Sequence, residues 1–406
     1  MSRIQRFSAA ALGLLVGATA CNDDELFHPA NLTLADARFE RYVAMGNSIT
    51  AGVQSGGIND STQLQSYAVL LSRQMGTPFF APLMSRPGCP APFTNVFTGA
   101  RVPPPVPGGC ALRRAQTPPP PYMNSVAVPG AEVMDAISNL DTASNANALT
   151  TFFLGGQTQT EAMQRVRPTF LTVWIGNNDI LGAATFAANP GDSTRITPPA
   201  LFQTRYDLML DSIAAVNPRG AVLIGVANVT TIPYFSRGTT YFAIKAGLVP
   251  GASFPPNFLV DASCNPPRGD SVLVPFPYGA TLLGLATANP GNNYTLSCAG
   301  PQVVEPAELG LLVARALQYN AGIAAAAVAR GWTYLNPNPT LDSLVAVGGS
   351  TVRAFPLIGQ PCTANPFGTA FSCDAIHPSA SLHKLIANKL IEGINTAYGT
   401  TMARIP

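Results

Sequence analysis

Ser48 is the side chain in this sequence whose surroundings most resemble those of an enzyme nucleophile. A short apolar run from Tyr42 to Met45 predicts a β-strand, and Gly46 and Asn47 then lead into a turn of small residues that contains the serine. In open α/β sheets, ligands bind at the carboxyl ends of the strands. Serines at such strand-to-turn junctions are candidate nucleophiles. By itself the segment also suits an ordinary turn, because glycine, asparagine and serine are common turn residues.

His377 is the candidate general base for this serine. Asp374 precedes it by three residues, so a short turn can bring the carboxylate to the ring Nδ1. That contact would fix the imidazole tautomer and stabilise the imidazolium that forms when Nε2 accepts a proton. The alternative is an Asp/His surface turn without a catalytic role. Of the other two histidines, His28 is expected to be exposed, and His383 falls in an apolar arc at helical spacing that predicts a core position.

Two further residues could bind the oxyanion of a reacting ester. Asn178 follows the apolar run at 169–175, so its amide is expected at the same sheet edge as Ser48, where it could donate a hydrogen bond. Gly130 follows another strand-like run, and a glycine lets the backbone N–H approach a ligand closely. The alternatives are an ordinary Asn/Asp-rich turn and a plain strand-to-helix turn.

The elements that would position these residues alternate along the chain. Strands are predicted at Tyr42–Met45, Ser125–Val128, Thr169–Ile175, Ala221–Val226 and Trp332–Leu335. Helices are predicted at 65–76, 131–140, 158–166, 200–216, 305–330 and 379–397. Nearly continuous apolar strands are typical of a parallel sheet covered on both faces. The alternation therefore predicts a doubly wound α/β/α fold, arranged as one domain over residues 40–397.

In this order, the four segments resemble the motif blocks of the SGNH, or GDSL-type, serine hydrolases. Gly46-Asn47-Ser48 resembles the first block, Gly130 the second, the segment from Gly176 to Asp179 the third, and Asp374-Ala-Ile-His377 the last. The resemblance spans about residues 40 to 395. It departs from the family pattern at Asn47, where aspartate is usual, and at Ile49, where leucine is usual. The change at Asn47 puts the hydrogen bonds and the charge beside Ser48 in question.

This resemblance implies a fold, a mechanism and a set of roles. The fold would be three-layer α/β/α with a mostly parallel five-stranded sheet, the flavodoxin-like SGNH arrangement. Ser48 would be the nucleophile, His377 the general base and Asp374 the residue that orients the histidine. The oxyanion would bind the backbone N–H groups of Ser48 and Gly130 together with the Asn178 side chain. Such enzymes need neither a cofactor nor a metal. The chain would hydrolyse carboxylic esters, as an esterase or lipase.

Composition limits the remaining function classes. Only 11% of the 406 residues are charged and the formal net charge is +2, which gives no basic surface for nucleic acid. Two long insertions rich in proline and glycine, at about 85–122 and 233–302, interrupt the α/β pattern. Loops of this length are usually lids or binding surfaces. Their aromatic residues, Phe79, Phe80, Phe93, Phe235, Tyr241, Phe242 and Phe254, could line an acyl groove or a sugar platform. We expect a monomer.

The N-terminus predicts export. Residues 1–21 combine Arg3 and Arg6, an apolar segment and small residues before Cys21, in the manner of a signal peptide. The ending also resembles a bacterial lipoprotein signal, in which Cys21 would carry the lipid; simple cleavage near Cys21 is the alternative. Residues 22–39 would form a tether. We expect no other run to be long enough to span a bilayer. Membrane attachment would then depend on the lipid alone, with the protein at the periplasmic or cell-surface face.

Six cysteines remain once Cys21 is set aside, an even number in an exported chain. They fall into neighbouring pairs within loops rich in proline and glycine: Cys89 with Cys110, Cys264 with Cys298, and Cys362 with Cys373. Without any Cys-x-x-Cys spacing, a metal site is disfavoured and three local disulfides are predicted. Two rivals to an esterase stay open: a carbohydrate O-deacetylase of the same fold, and a binding lipoprotein without turnover.

Overall fold

The computed structural model describes residues 33–106, 110–138 and 149–406. The predicted leader at 1–21, with Cys21, and His28 lie outside the described residues, as does the tether before residue 33. The strands are β1 Tyr42–Gly46, β2 Phe93–Asn95, β3 Ala100–Arg101, β4 Phe170–Trp174, β5 Gly220–Ile224, β6 Phe235–Arg237, β7 Phe258–Val260, β8 Leu273–Pro275, β9 Tyr294–Leu296 and β10 Thr333–Leu335. The central sheet contains four of them, in the order β1-β4-β5-β10, and all its pairs are parallel.

A fifth segment lies along the free edge of β1. Ser125 forms a parallel bridge with Ala44, and three backbone hydrogen bonds join residues 124–128 to β1, ending with the Val128 N–H on the Gly46 carbonyl at 3.1 Å. Counting this segment second in chain order, the strands run 2-1-3-4-5, which is the flavodoxin-like order. The predicted α/β fold with a parallel sheet is confirmed.

Helices cover both faces of this sheet. They are α1 Ser48–Ala51, α2 Asp60–Gln63, α3 Tyr67–Met75, α4 Leu149–Leu154, α5 Gln159–Val166, α6 Asn178–Ala184, α7 Pro199–Ala214, α8 Gly238–Lys245, α9 Phe276–Ala288, α10 Pro306–Ala329, α11 Asn338–Val347 and α12 Ala380–Tyr398. Successive residues of a strand point to opposite faces of the sheet. On one face, Val43 and Leu171 pack against α5, α7 and α10. On the other face, Tyr42 and Phe170 pack against α3 and α12. This alternation explains why the β1, β4 and β5 strands are buried throughout.

Helix α10 is the exception to the expectation about membrane-spanning runs. Among the described residues it alone is long and apolar enough to cross a bilayer, by length and composition. The expectation that no such run exists outside the leader is therefore wrong on those two criteria. Its buried side chains include Leu312 and Ile323 in the main core, and the ring of Tyr319 stacks on Phe202 with centroids 4.0 Å apart. We interpret α10 as a core helix of the α/β layer.

The predicted helices and strands mostly appear with ends shifted by one or two residues. The exception is 131–140, where the described part holds only a short 3-10 turn, Met134–Ala136, and residues 139 and 140 lie outside the description. Helices α6 and α11 were not predicted. Both are short and begin within Asn-rich turns, which hides their helical periodicity.

The second insertion is a small folded unit, which corrects its description as a loop stretch with little secondary structure. It contains α8 and α9 and two pairs of short strands, β6 with β8 and β7 with β9. Its own apolar core surrounds Tyr241, Phe258 and Val274 and includes the Cys264–Cys298 disulfide. In the described part of the first insertion, the structure shows the β2–β3 hairpin and the Cys89–Cys110 disulfide. With Cys362–Cys373, the three predicted disulfides are all formed.

Candidate active site

Ser48 is placed by the junction between β1 and α1. Strand β1 ends at Gly46, where a side chain would collide with Thr50 Oγ1 at 2.3 Å and the Trp174 carbonyl at 2.6 Å, so this turn requires glycine. Asn47 is the N-cap of α1, and its side-chain oxygen accepts a hydrogen bond from the Ile49 N–H at 3.1 Å. Asparagine and aspartate cap helices equally well, so Asn47 makes the same hydrogen bond that the more usual aspartate would make at this position. Ser48 therefore begins the helix at the carboxyl edge of the sheet.

His377 and Asp374 reach Ser48 from the loop before α12. His377 Nε2 lies 2.9 Å from Ser48 Oγ, and His377 Nδ1 lies 2.8 Å from Asp374 Oδ2. The Cys362–Cys373 disulfide ends one residue before the aspartate. Ser48 and Asp374 are 326 positions apart in the sequence, yet both are hydrogen-bonded to the His377 ring. The three residues therefore form one continuous hydrogen-bonded relay. The structure thus brings together the serine, the base and the orienting acid predicted from the sequence.

Asp374 is held as a buried carboxylate. Oδ1 accepts hydrogen bonds from the backbone N–H groups of His377 at 2.8 Å and Ile376 at 2.9 Å and from the Ser372 hydroxyl at 3.2 Å. Oδ2 accepts from the Gly56 N–H as well as from the histidine ring. Burial raises the pKa of this carboxyl, but His377 and the hydrogen bonds outweigh burial and lower the pKa to about 2. The acid is therefore ionised throughout the range in which the histidine could act as a base.

The candidate oxyanion donors lie beside Ser48. Asn178 begins α6, and its Nδ2 donates to the Ala131 carbonyl at 2.8 Å, which leaves the second amide hydrogen for a ligand. Gly130 follows Val128, whose N–H is bonded to Gly46, so the exposed Gly130 turn runs alongside the Ser48 turn. The N–H of Ser48 belongs to the first turn of a helix, where donors have no intrahelical partner.

A cavity of about 100 Å³ opens next to the serine. Ser48, His377 and Asn178 contribute to its wall, but most of the wall is aliphatic. The aliphatic residues include Val229, Ile232, Leu335, Leu341, Leu344 and Ile386. The cavity therefore places an apolar pocket directly beside the Ser48 hydroxyl, the His377 ring and the Asn178 amide.

The aromatic lining predicted from the sequence is wrong for this pocket. Val229 and Ile232, from the loop after β5, lie in its wall instead. None of the seven aromatic residues proposed for an acyl groove or sugar platform lies in the wall. Tyr241 and Phe254 pack inside the second insertion, for example, and Phe79 stacks on Tyr42. Tyr241 and Phe254 thus belong to the apolar core of the second insertion, whereas Phe79 packs against the central sheet.

Three residues that support the site were missed by the sequence analysis. The fully buried Gln159 makes two 2.9 Å hydrogen bonds, one to the Gly46 N–H and one to the Gly46 carbonyl, and so holds the end of β1. Gly56 and Ser372 donate to the Asp374 carboxylate. The sequence does not signal these contacts. Those of Gln159 and Gly56 join positions far apart in the chain, and Ser372 is a serine in a loop, where serine is common.

His383 is a core residue, as its helical spacing predicted. It is fully buried, and Nδ1 accepts a hydrogen bond from the Tyr67 N–H at 3.3 Å. Burial, reinforced by the nearby His377, lowers its pKa to about 3, so the ring is neutral. Within the described ranges no group of histidine, cysteine and carboxylate side chains is arranged to hold a metal ion.

No family model and no curated protein matches this chain. Among solved structures, an acetylxylan esterase from Geobacillus stearothermophilus is similar at 9% identity and a TM-score of 0.40, over 90% of this chain and 97% of that one. An extracellular lipase from Streptomyces rimosus is similar at 14% identity and a TM-score of 0.39, over 87% and 98%. A GDSL-like lipase from Parabacteroides merdae is similar at 10% identity and a TM-score of 0.36, over 89% and 98%.

All three solved structures are esterases or lipases by name. The parallel sheet of this chain presents a hydrogen-bonded Ser48–His377–Asp374 triad at the mouth of an apolar cavity.

Proposed function

We propose that this chain is a serine hydrolase of the SGNH type that cleaves carboxylic esters through an acyl-enzyme. The observation that carries the proposal is the continuous relay from Ser48 Oγ through the His377 ring to Asp374, with distances of 2.9 and 2.8 Å. A relay of this geometry activates a hydroxyl by accepting its proton as it attacks. The adjoining cavity gives the acyl group of the ester a place to bind.

In the acylation half-reaction, Ser48 Oγ attacks the ester carbonyl while its proton moves to His377 Nε2. The carbonyl oxygen becomes an oxyanion, which the N–H groups of Ser48 and Gly130 and the Asn178 amide would stabilise. The tetrahedral intermediate collapses as the imidazolium gives its proton to the leaving alkoxide, so an alcohol departs. Water then attacks the acyl-serine with His377 again as base, and the acid is released with Ser48 Oγ reprotonated.

The aliphatic wall of the cavity favours an acyl chain longer than acetyl. Burying one methylene contributes about 0.8 kcal/mol, which is roughly a fourfold change in kcat/KM. We therefore expect p-nitrophenyl butyrate and hexanoate to be better substrates than the acetate. Among the described residues, the cavity wall offers few polar side chains for the hydroxyls of a sugar, so a carbohydrate O-deacetylase is the second candidate. Faster acetyl release from acetylated glycans than from butyryl esters would select it.

Leu344 tests the position of the acyl group. It lies on α11 in the cavity wall, and Leu344→Trp would fill that space, whereas the adjacent Val345 points away from the cavity and gives a matched control in Val345→Trp. The Leu344 variant should lose at least tenfold in kcat/KM for hexanoate while keeping its activity on acetate. Equal loss on both esters, or the same loss in the control, would contradict an acyl-binding cavity.

The experiment that tests the function compares wild type with Ser48→Ala on p-nitrophenyl butyrate. Wild type should turn over, and the variant should fall to the background rate. Equal rates from both would remove the hydrolase and leave a binding lipoprotein without turnover.

We further propose that the chain is exported and lipid-anchored through Cys21. The three disulfides support an oxidising compartment, since such bonds are rare in the reducing cytosol. Lipid labelling of the full chain in a bacterial host, compared with Cys21→Ser, tests the anchor. Wild type should carry labelled fatty acid in the membrane fraction and the variant should not; an unlabelled wild type would indicate simple cleavage.

A further inference from the structure

A tight turn at Gln54–Gly57 presents the N–H that binds the catalytic carboxylate. Its two central residues, Ser55 and Gly56, both have positive φ, at 53° and 61°, and Gln54 and Gly57 exchange backbone hydrogen bonds of 2.9 and 3.1 Å. In this conformation the Gly56 N–H points at Asp374 Oδ2, the same oxygen that accepts from the His377 ring. The orientation of the turn thus controls one of the two hydrogen bonds on that oxygen.

The turn is also fastened to the loop that carries the acid. The Ser55 N–H donates to the Ser372 hydroxyl at 2.8 Å, and the Ser55 hydroxyl accepts from the Cys373 N–H at 3.1 Å. Ser372 in turn donates to Asp374. Movement of the turn would therefore be transmitted to the carboxylate at both of its oxygens.

The first insertion covers this turn from the other side. The Phe93 N–H donates to the Ser55 carbonyl at 2.8 Å, and the Phe93 ring lies so close to Gly56 that a side chain there would meet Cε2 at 2.6 Å. Arg101, on β3 of the same insertion, donates from Nη1 to the Gly56 carbonyl at 2.9 Å and to the Ala91 carbonyl. Its guanidinium lies over the Phe93 ring, 3.7 Å from the centroid.

We propose that Arg101 is a positioning residue for the triad, which holds the Gly56 peptide so that its N–H donates to Asp374. Gly56 links the arginine to the acid: its carbonyl accepts a hydrogen bond from Arg101, and its N–H donates one to Asp374. Arg101 itself bonds to neither Ser48 nor His377 and does not line the cavity. The first insertion, rather than closing over the substrate, completes the support of the catalytic acid. This inference rests on the proposed hydrolase function.

Arginine suits the role because of its shape. A planar guanidinium can donate to two carbonyls while its face packs on an aromatic ring, whereas a lysine ammonium is a single point of charge on a flexible stem. Lysine at position 101 could reach the Gly56 carbonyl without the second bond or the stacking. Arg101→Lys should therefore retain part of the positioning, and Arg101→Ala should retain none of it.

Arg113 provides a matched control. It belongs to the same insertion, is partly buried, and donates from Nη1 to the backbone carbonyl of Phe153 at 3.3 Å. Among the described residues it makes no hydrogen bond to the 54–57 turn. Arg113→Ala therefore removes a comparable side chain and carbonyl bond without touching the support of Asp374.

The experiment measures kcat and KM on p-nitrophenyl butyrate for wild type, Ser48→Ala, Arg101→Ala, Arg101→Lys and Arg113→Ala, with the folded fraction of each followed by thermal melting. Arg101→Ala should lower kcat by about 10- to 100-fold with KM changed less than twofold, and Arg101→Lys should fall between it and wild type. Arg113→Ala should keep kcat within twofold. Added ethylguanidinium, but not ethylammonium, should restore part of the kcat of Arg101→Ala.

The remaining outcomes would contradict either the positioning role of Arg101 or the hydrolase function itself. Unchanged kcat in folded Arg101→Ala, a rise in KM alone, or an equal loss of kcat in Arg113→Ala would overturn the positioning role while the hydrolase stands. If Arg101→Ala does not fold, Arg101→Lys decides: a lowered kcat with KM unchanged supports the inference, and wild-type kcat in folded Arg101→Lys overturns it. Wild-type activity that survives Ser48→Ala would instead overturn the proposed function.

Discussion

Replacing Asp374 by asparagine should disable the base without dismantling the site. The carboxylate accepts five hydrogen bonds, three on Oδ1 and two on Oδ2. An asparagine must place its NH₂ group at one of the two oxygen positions. At Oδ1 it would face two backbone N–H groups, which cannot turn away. At Oδ2 it would face the Gly56 N–H and the His377 ring, and the ring can respond by changing tautomer.

The second arrangement therefore dominates, and it leaves the wrong nitrogen protonated. His377 Nδ1 would accept from the amide, Nε2 would carry the hydrogen, and Nε2 could no longer accept the Ser48 proton. In the Ser-His-Asp template this change lowers kcat about 10⁴-fold, which is about 5.5 kcal/mol in the activation barrier. The unmatched Gly56 N–H should cost about 1–3 kcal/mol of stability in addition.

The assay is steady-state hydrolysis of p-nitrophenyl butyrate by wild type and Asp374→Asn, with a thermal melt of each. We expect kcat to fall about 10⁴-fold while KM stays within a few fold, since the cavity is unchanged. Asp36→Asn is the control, because Asp36 caps the short turn Ala37–Phe39 and bonds to Arg38 rather than to any residue of the triad; its kcat should match wild type. A folded Asp374→Asn with kcat within tenfold of wild type would refute the tautomer argument.

Three further predictions concern the surroundings of the triad. Asn47→Asp should keep the cap on the Ile49 N–H and stay within about threefold of wild-type kcat, whereas Asn47→Ala should lose about 1 kcal/mol in denaturant melts; a larger loss from the aspartate would contradict the capping role. Burial lowers the pKa of His383 to about 3 from an unfolded value near 6.5, so stability should be lost as the pH falls through this window, and His383→Gln should flatten that slope. Burial and the neighbouring Glu132 raise the pKa of Asp179 to about 7 from near 3.9, so the protonated side chain contributes its full stability at low pH and this contribution is lost as the pH rises through 7. Asp179→Asn should therefore gain stability relative to wild type above pH 7. An equal difference in stability between variant and wild type at pH 5 and pH 8 would contradict this.

The central sheet could be predicted because its strands carry a signal that is complete within a few residues. Phe170–Trp174 and Gly220–Ile224 are apolar throughout, as strands buried on both faces must be. Ser48 and Asn178 could be identified because strand ends meet at one edge of a parallel sheet, and Asp374 because it precedes His377 by three residues. The aspartate and histidine are also close in sequence, so one short turn suffices to join them.

The support of the site could not be predicted, because it consists of contacts between distant segments. Gly56 and Asp374 are 318 residues apart, and the pairing depends on how the first insertion folds over the 54–57 turn. Arg101 looks like any surface arginine until its carbonyl partner is known. The second insertion was misjudged for a related reason: its short helices and strands are stabilised by a local core and a disulfide, whereas its proline and glycine content suggests loops.

The central claim is that Ser48 is a nucleophile that forms a covalent acyl-enzyme. Its most direct test is mass spectrometry of the folded protein after reaction with a fluorophosphonate, followed by peptide mapping. A single adduct on Ser48 is expected in wild type, with the rate of labelling strongly reduced in His377→Gln and the adduct absent from Ser48→Ala. Unlabelled wild type, or an adduct on a different residue that persists in Ser48→Ala, would contradict the account.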